Sequence, residues 1–482
     1  MAPARVVRAA HPGDVAVAAE LRPGIASIQA ELGVDPEFPA NVTSAAERAV
    51  DAPRLPELDR TDIEFLTLDP PGSQDLDQAL HIERSAHGYR VHYAIADLAA
   101  FISPGDAVDL EARRRGQTLY GADSKIPLHP PVISEGAASL LPDQVRPALL
   151  WTIDLDETGE GTEATVERAL VRSRRQLDYA QAQRQIDAGT GAATLMLLAQ
   201  IGPLRMAREA ARGGVSLPRT EQQIDASGPH WRLEFRSLLP VELWNAQVSL
   251  LTGMAAASLM VYARVGLLRT LPPADSRDVR RLRRTAKALG VEWPAETTYP
   301  QFVRSLDQSN PAHAAVLVAC TRLFRGAGYV AFDGELPAQP EHSAVAAEYA
   351  HVTAPLRRLV DRYTSEICMA LCAGHPVPRW VLDTLEELPD TMQESRRRAG
   401  RYESAILNLV EAEVLKEQVG ERFRAVVVEL DDRDPRRGEV TVVRPAIEAK
   451  IASSRELPLG TEVDVVLTQA DPATRSVRFE LP

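Results

Sequence analysis

At Gly420 the hydrophobic pattern of this 482-residue chain changes period. From residue 390 to 419 apolar side chains recur at helical spacing. Beyond Gly420 the chain breaks into short alternating runs at 423–430, 438–443, 447–452, 462–468 and 476–481, separated by turn residues such as Asp471-Pro472-Ala473-Thr474. Side chains that alternate at a period of two cannot continue the packing of a helix with a period of 3.6. The last sixty or so residues therefore have to close on themselves, and five short strands in that length predict a small β-barrel.

The remainder is too long for one core, and two or three domains are expected. Near the start lie two short helical patterns, 24–32 and 41–50, split by Gly33 and the proline-punctuated Asp35-Pro36-Glu37-Phe38-Pro39. A helix-turn-helix-like arrangement and a plain packing pair both fit them. Residues 51–62, with Pro53 and Pro56, read as a linker. From Ile63 the pattern is strand-like, at 65–68, 79–83 and 89–95, and helices are predicted later at 195–212 (with a break near Pro203), 242–265, 278–289 and 313–323. The predicted class is α+β. A short helical segment over 1–55 precedes a large mixed α/β domain over 56–419, which includes the long helix, and a barrel of the oligonucleotide-binding type over 420–482.

Composition narrows the function. Hydrophobic residues make up 45% and charged residues 25%, as in folded globular proteins. His11, Pro12 and Asp14 interrupt the start before any signal-peptide core can form, so a cytoplasmic location is expected. The most apolar stretch, 250–268, contains Thr252, Ser258 and Arg264 and suits a buried helix better than a membrane span. Cysteines at 320, 368 and 372 are too few for a disulfide framework or a zinc site. The net charge of −13, taken alone, argues against nonspecific nucleic-acid binding. Arginines nevertheless cluster at 113–115, 172–175, 277–284, 357–362 and 396–401, although for any single cluster a solvated helix face is the better reading.

The chemistry-bearing motif is Asp69-Pro-Pro-Gly-Ser-Gln-Asp75-Leu-Asp77-Gln78, directly after an apolar strand. Three aspartates within nine residues repel one another unless a cation neutralises them. Hard oxygen donors without nearby thiolate or imidazole select magnesium or manganese, and such a site suits phosphodiester hydrolysis. From spacing alone a polar turn with solvated carboxylates is an equal alternative.

The run 67–150 resembles the catalytic RNB domain of ribonuclease II-family enzymes. Asp69 with Asp75-Leu-Asp77 is similar to the family's aspartate motif, and Val91-His-Tyr-Ala-Ile-Ala-Asp97 to its next strand. Pro104-Gly105, Asp109 with Glu111-Ala112, Arg115-Gly116 through Tyr120, and Ile126-Pro127-Leu128 through Leu141-Pro142 follow in family order. A second match, His351-Val-Thr-Ala-Pro-Leu-Arg357-Arg358, lies far downstream, and the likeness covers roughly residues 60–420.

The resemblance implies a magnesium-dependent 3′–5′ exoribonuclease that takes single-stranded RNA by its 3′ end and releases nucleoside 5′-monophosphates. It implies Asp69, Asp75 and Asp77 as metal ligands, with Asp77 indispensable, and Arg357 on the phosphate beside Arg358. Tyr120 and Tyr179 would pack near the terminal nucleotides, and Glu403 would stand at the catalytic centre. Three departures accompany it. Gln78 stands where the family has a fourth aspartate and could still ligate through its carbonyl. Asn245 or Gln247 would have to read the ribose in place of a glutamate. Leu217 and Leu359 replace aromatics. The short N-terminal segment leaves no room for the family's cold-shock barrels, so a short form acting as a monomer, without an obligate protein partner or a membrane, is expected. A catalytically silent RNB-fold regulator that binds RNA is the alternative, and Gln78 is its support.

Overall fold

A computed structural model of the chain describes residues 15–122, 124–217, 220–225, 232–307 and 309–482. Helices α1 (Val15–Leu32) and α2 (Ala40–Asp51) precede strands β1 (Phe65–Asp69), β2 (Gln78–Ser85) and β3 (Gly88–Ala96). Helix α3 (Ala107–Arg115), the two-residue strands β4 (Leu119–Tyr120) and β5 (Lys125–Ile126), and the long strands β6 (Val145–Asp156) and β7 (Gly161–Asp178) follow. Next come α4 (Tyr179–Asp187), α5 (Ala193–Arg212), the ribbon β8 (Thr220–Asp225) with β9 (Arg232–Ser237), α6 (Pro240–Ala263) and β10 (Val265–Thr270). Helices α7 (Ser276–Ala288), α8 (Tyr299–Arg304) and α9 (Pro311–Cys320) lead to β11 (Gly328–Asp333), β12 (Glu341–His342) and β13 (Ala347–Glu348). The chain then runs through α10 (Leu359–Cys372), α11 (Arg379–Leu385) and α12 (Leu388–Leu415) into β14 (Arg422–Leu430), β15 (Arg437–Val442), β16 (Ile447–Ser453), β17 (Glu462–Asp471) and β18 (Ser476–Leu481).

The C-terminal barrel is present and closed, in the order β14-β15-β16-β18-β17, with β16 and β18 parallel. A second closed barrel, β1-β2-β3-β6-β7, forms the frame of the large domain. Only its first three strands are legible in the sequence. Strand β7 buries Ala169, Val171 and Ser173 on one face and carries Arg168, Arg172 and Arg174 on the other, so its period of two is obscured by charge. Closure comes from parallel pairing of β1 with β7, which sets Asp69 beside Asp178.

Three local expectations are corrected. The N-terminal helices are not a self-packed helix-turn-helix. Leu21, Ile25 and Ile28 of α1 share a core with Tyr402, Ile406 and Leu409 of α12 and with the C-terminal barrel, whereas Val42 and Ala46 of α2 belong to another core around Phe101, Ile133 and Leu140. Gly24 permits the close approach of α1, since a Cβ there would stand 2.8 Å from Leu409 Cδ2. Residues 51–62 do not hang free as a linker. Leu170 N donates to Leu58 O and Arg60 N to Leu170 O, both at 2.8 Å, so the segment lies along β7.

The third correction concerns α5, which runs unbroken through Pro203. An internal proline costs about 3 kcal/mol. Burial of Leu195, Leu198 and Ile201 on the same helix outweighs that cost, at roughly 2 kcal/mol for each fully buried side chain. Helix α6 is long and apolar enough to cross a membrane, yet Val241, Val248, Leu251, Ala256, Ala257 and Met260 lie in the largest core, as the sequence reading of a buried helix anticipates.

Candidate active site

The acidic loop leaves β1 at Asp69 and re-enters the barrel at Gln78. Gly72 adopts φ +77°, a conformation that favours glycine, and turns the chain back. Around it the loop is pinned from three sides. Leu76 N donates to Ser139 Oγ at 2.9 Å, Gln176 Nε2 to Ser73 O at 2.8 Å, and Ala96 N to Asp77 O at 2.9 Å. Such anchoring removes most of the freedom a solvated turn would have, so the carboxylates are held before any ligand arrives.

Asp77 is 4% exposed. Its Oδ1 accepts the backbone N–H of Leu356 at 2.8 Å, and its Oδ2 lies 3.5 Å from Arg357 Nε. Burial pushes this carboxyl up to about 7. Arg357 and the Leu356 N–H work against the shift, and Asp75 and Asp361 add to it. The residue is therefore poised between charged and neutral and gains from any added cation.

The opposing loop, 353–358, is tied into the same frame. Arg357 O accepts from Thr118 N and Gly116 O from Leu359 N, both at 3.0 Å, so the strand leading to Tyr120 runs beside it. Asp361, at the start of α10, accepts Ala354 N at 2.7 Å and Arg358 Nη2 at 2.7 Å, with Arg358 Nε on its other oxygen. Arg358 thus closes the loop internally. Its guanidinium is committed to Asp361, and the planar fork that would suit a phosphate already has a carboxylate. Arg357 differs. Although its Nε lies 3.5 Å from Asp77 Oδ2, 43% of its side chain is open to solvent. Burial and Arg358 disfavour its charge, while Tyr120, Asp77 and Asp361 outweigh them and hold it protonated.

Tyr93 marks the point where the other groups meet. Its hydroxyl donates to Gln78 Oε1 at 2.8 Å, and burial raises its pKa well above 10, with Tyr179, Asp69, Asp77 and Tyr349 adding to the effect. Asp69, Asp77 and Tyr179 therefore all lie within electrostatic reach of one phenol. Tyr179 reaches this place as the first residue of α4, whose N-cap Asp178 pairs with Asp69 across β1 and β7.

Gln78 departs from its predicted role. Its Nε2 donates to Thr353 O while its Oε1 takes the Tyr93 hydroxyl, so both ends of the amide are used within the protein. Asp75 also has a partner. Its Oδ1 lies 2.6 Å from Lys125 Nζ, which is 3.0 Å from Glu135 Oε1.

The remaining nominated residues divide by helix phase. On α6, Ser249 Oγ meets Thr353 Oγ1 at 2.8 Å, so that face looks toward the site, and Asn245 lies one turn earlier on it. Gln247 points the other way, buried, with its Nε2 on Glu209 Oε2 of α5, and the structure leaves Asn245 as the amide facing the site. Glu403 is half-buried on α12. Burial alone pushes its carboxyl up to about 7, and no charged group of the site acts on it, so the geometry does not join it to Asp77. Leu217 is partly buried against the α7–α9 core, and Leu359 is buried and presents no surface for a base. Two of the five arginine clusters are tied to buried carboxylates, for Arg113 meets Asp109, Arg114 and Arg115 share Glu111, and Arg362 meets Asp109, whereas Arg277, Arg280, Arg281 and Arg284 on α7 are exposed.

Among the described residues no three His, Cys, Asp or Glu side chains form a ready metal cage. Magnesium does not need one, because it keeps several waters and is held by one or two carboxylates together with substrate phosphate. The Asp69 and Asp77 carboxylates, hard donors that both act on Tyr93, fit one such ion. Asp75 is paired with Lys125, and both ends of the Gln78 amide are bound within the protein. Sequence reasoning missed Lys125, Glu135, Tyr93 and Asp361. The Arg358-to-Asp361 spacing of three at a helix start was the one available signal.

Comparison with known proteins bears on the family and the fold. Residues 58–373 match the family model of the RNB domain, and residues 421–481 that of the RNase II-type exonuclease C-terminal S1 domain. The exosome complex exonuclease RRP44 homolog A of Arabidopsis thaliana is 26% identical over 69% of this chain, which spans 37% of that relative. The chain spans roughly a third to a half of the length of such curated relatives. Among solved structures, Mycoplasma genitalium RNase R in complex with ribose methylated single-stranded RNA has a TM-score of 0.83 at 18% identity, covering 95% of this chain and 77% of that one. Yeast Ssd1, a pseudonuclease, has a TM-score of 0.70 at 14% identity, covering 94% and 57%. These two likenesses establish the shared fold.

Proposed function

The chain belongs to the RNB domain family of exoribonucleases, and from that premise we propose that it is a metal-dependent 3′–5′ exoribonuclease that hydrolyses single-stranded RNA to nucleoside 5′-monophosphates. The observation that carries the reading is the Asp77 carboxylate, held between Leu356 N–H and Arg357 although 279 residues separate Asp77 from Leu356. A buried acid fixed against an open guanidinium is expensive to maintain as mere scaffolding. It is well suited to a phosphodiester that brings its own negative charge.

In this reading Asp69 and Asp77 hold a magnesium or manganese ion. When bound, that ion supplies Lewis acidity toward the phosphate and a water acidified for attack. Arg357 donates to a non-bridging phosphate oxygen, where charge grows in the transition state. Tyr120, whose hydroxyl lies close enough to influence Arg357, packs against the last nucleotide, and Tyr179 borders it from the Asp69 side. Asn245 hydrogen-bonds the ribose. The protein is taken to work as a monomer on free 3′ ends, without an obligate partner.

The rival reading is an RNA-binding protein without catalysis. The closed amide of Gln78 and the pairing of Asp75 with Lys125 favour it, as does the likeness to a pseudonuclease. Incubation of the purified chain with 5′-labelled single-stranded RNA and magnesium separates the two. A ladder retreating from the 3′ end, with 5′-monophosphates released, is the expected result. RNA that is bound but left intact would establish the silent reading instead.

A further inference from the structure

We propose that Lys125 takes the place of a second divalent cation in this site, so that the chain carries at most one metal ion. The inference rests on the reading of the acidic loop as a metal site and deepens it. The ammonium of Lys125 stands 2.6 Å from Asp75 Oδ1 and 3.0 Å from Glu135 Oε1, bridging two carboxylates as a cation ligand sphere would. All three side chains are largely shielded, with exposures of 24%, 17% and 22% for Lys125, Asp75 and Glu135, so the contact is not a loose surface pair. Lys125 is fixed by its strand. It lies on β5 directly across from Tyr120.

Charge and geometry point the same way. With Asp77 ionised, as a bound cation would keep it, Asp69, Asp75, Asp77 and Glu135 set against Lys125 and Arg357 leave two net negative charges, which one divalent ion cancels and two would overshoot. A metal ion held by the same Asp75 oxygen would stand within about 5 Å of the ammonium, given metal–oxygen distances of about 2.1 Å. At that separation a divalent ion and an ammonium repel strongly in a shielded site. Gln78 completes the picture. The one remaining position that could have served a second ion is an uncharged amide whose two ends are bound to Thr353 and Tyr93. The chain has thus lost one carboxylate and neutralised another with a side chain of its own.

The test titrates Mn2+ into the full-length protein, read by electron paramagnetic resonance and calorimetry, for wild type, Lys125→Met and Lys125→Arg, with circular dichroism to verify folding. Wild type is expected to bind one Mn2+. Lys125→Met is expected to gain a second binding event at least tenfold tighter than any second event in wild type, and Lys125→Arg, still cationic, to remain at one. Two ions in wild type, or a folded Lys125→Met protein that gains none, would overturn the proposal. RNA cleavage measured alongside keeps the two readings apart. Cleavage with two bound ions removes the role of Lys125 and leaves the exoribonuclease standing, whereas one bound ion with intact RNA does the reverse.

Discussion

Replacing Asp361 with Asn probes the clasp that presents Arg357. The Asp361 side chain is fully buried and accepts from Ala354 N and from two nitrogens of Arg358, which is itself 17% exposed. Asparagine preserves the shape and can still accept from Ala354, but it leaves the Arg358 charge without its counter-ion. Removing one partner of a buried pair costs about 3–5 kcal/mol, and the partial exposure of Arg358 places this case near 3. With an unfolding entropy of about 2.1 cal/mol/K per residue over a large domain of roughly 370 residues, the melting temperature should fall by about 4 °C. Differential scanning calorimetry and urea titration measure it directly. A second substitution, Arg358→Met, removes the stranded charge, so the double variant should recover about 2 kcal/mol relative to the sum of the singles. Because the clasp also fixes the loop carrying Arg357, kcat should fall more than KM rises. A melting point unchanged within about 1 °C, or strictly additive single effects, would refute the assignment of Asp361 as the loop's internal anchor.

Three further outcomes follow from the same geometry. The Glu403 carboxyl is raised from its ordinary value to about 7 by burial, so its contribution to stability is full below about 4.5 and is lost as pH rises through 7. Glu403→Gln should therefore stabilise the protein by about 2 kcal/mol more at pH 8 than at pH 5 in urea titrations, and an equal effect at both would contradict the burial argument. At Gly253 an added Cβ would stand 2.2 Å from Tyr349 Cε2 and 2.5 Å from Ala350 O, so Gly253→Ala should cost about 2–3 kcal/mol by denaturation and displace the Thr353 loop, with unchanged stability as the refuting result. Asn245→Ala should narrow the preference for RNA over DNA in competition binding, while Gln247→Ala should leave it intact and lower stability by about 1–2 kcal/mol through the stranded Glu209. The reverse pattern would reassign the ribose reader.

The parts legible in the sequence are those with strong, uninterrupted period. The strands after Gly420 and the helix that became α12 were found within a few residues of their observed ends. The first barrel was only half visible because β7 alternates around arginines, and Pro203 suggested a break that buried Leu198 and Ile201 overrule. For the candidate site, motif order nominated Asp69, Asp77, Arg357, Tyr120 and Tyr179. It could not say where side chains with more than one possible partner would turn. Gln78 went to Thr353, Asp75 to Lys125 and Arg358 to Asp361, choices set by which segments the two barrels and α10 bring face to face. The orientation of Gln247 was within reach of the sequence. Residues 245 and 249 share a helix face, and 247 falls some 200° from 245 at 100° per residue.

The central claim is that the buried carboxylate of Asp77 does chemistry on RNA rather than only holding a loop. Wild type and Asp77→Asn should be compared on the same labelled single strand, with magnesium and with EDTA, measuring binding and products at single-nucleotide resolution. The account predicts retained binding in Asp77→Asn, cleavage reduced by about a hundredfold or more, the scale on which single electrostatic groups act, and abolition of wild-type cleavage by EDTA. Cleavage by Asp77→Asn at the wild-type rate, or wild-type cleavage that persists in EDTA, would contradict it.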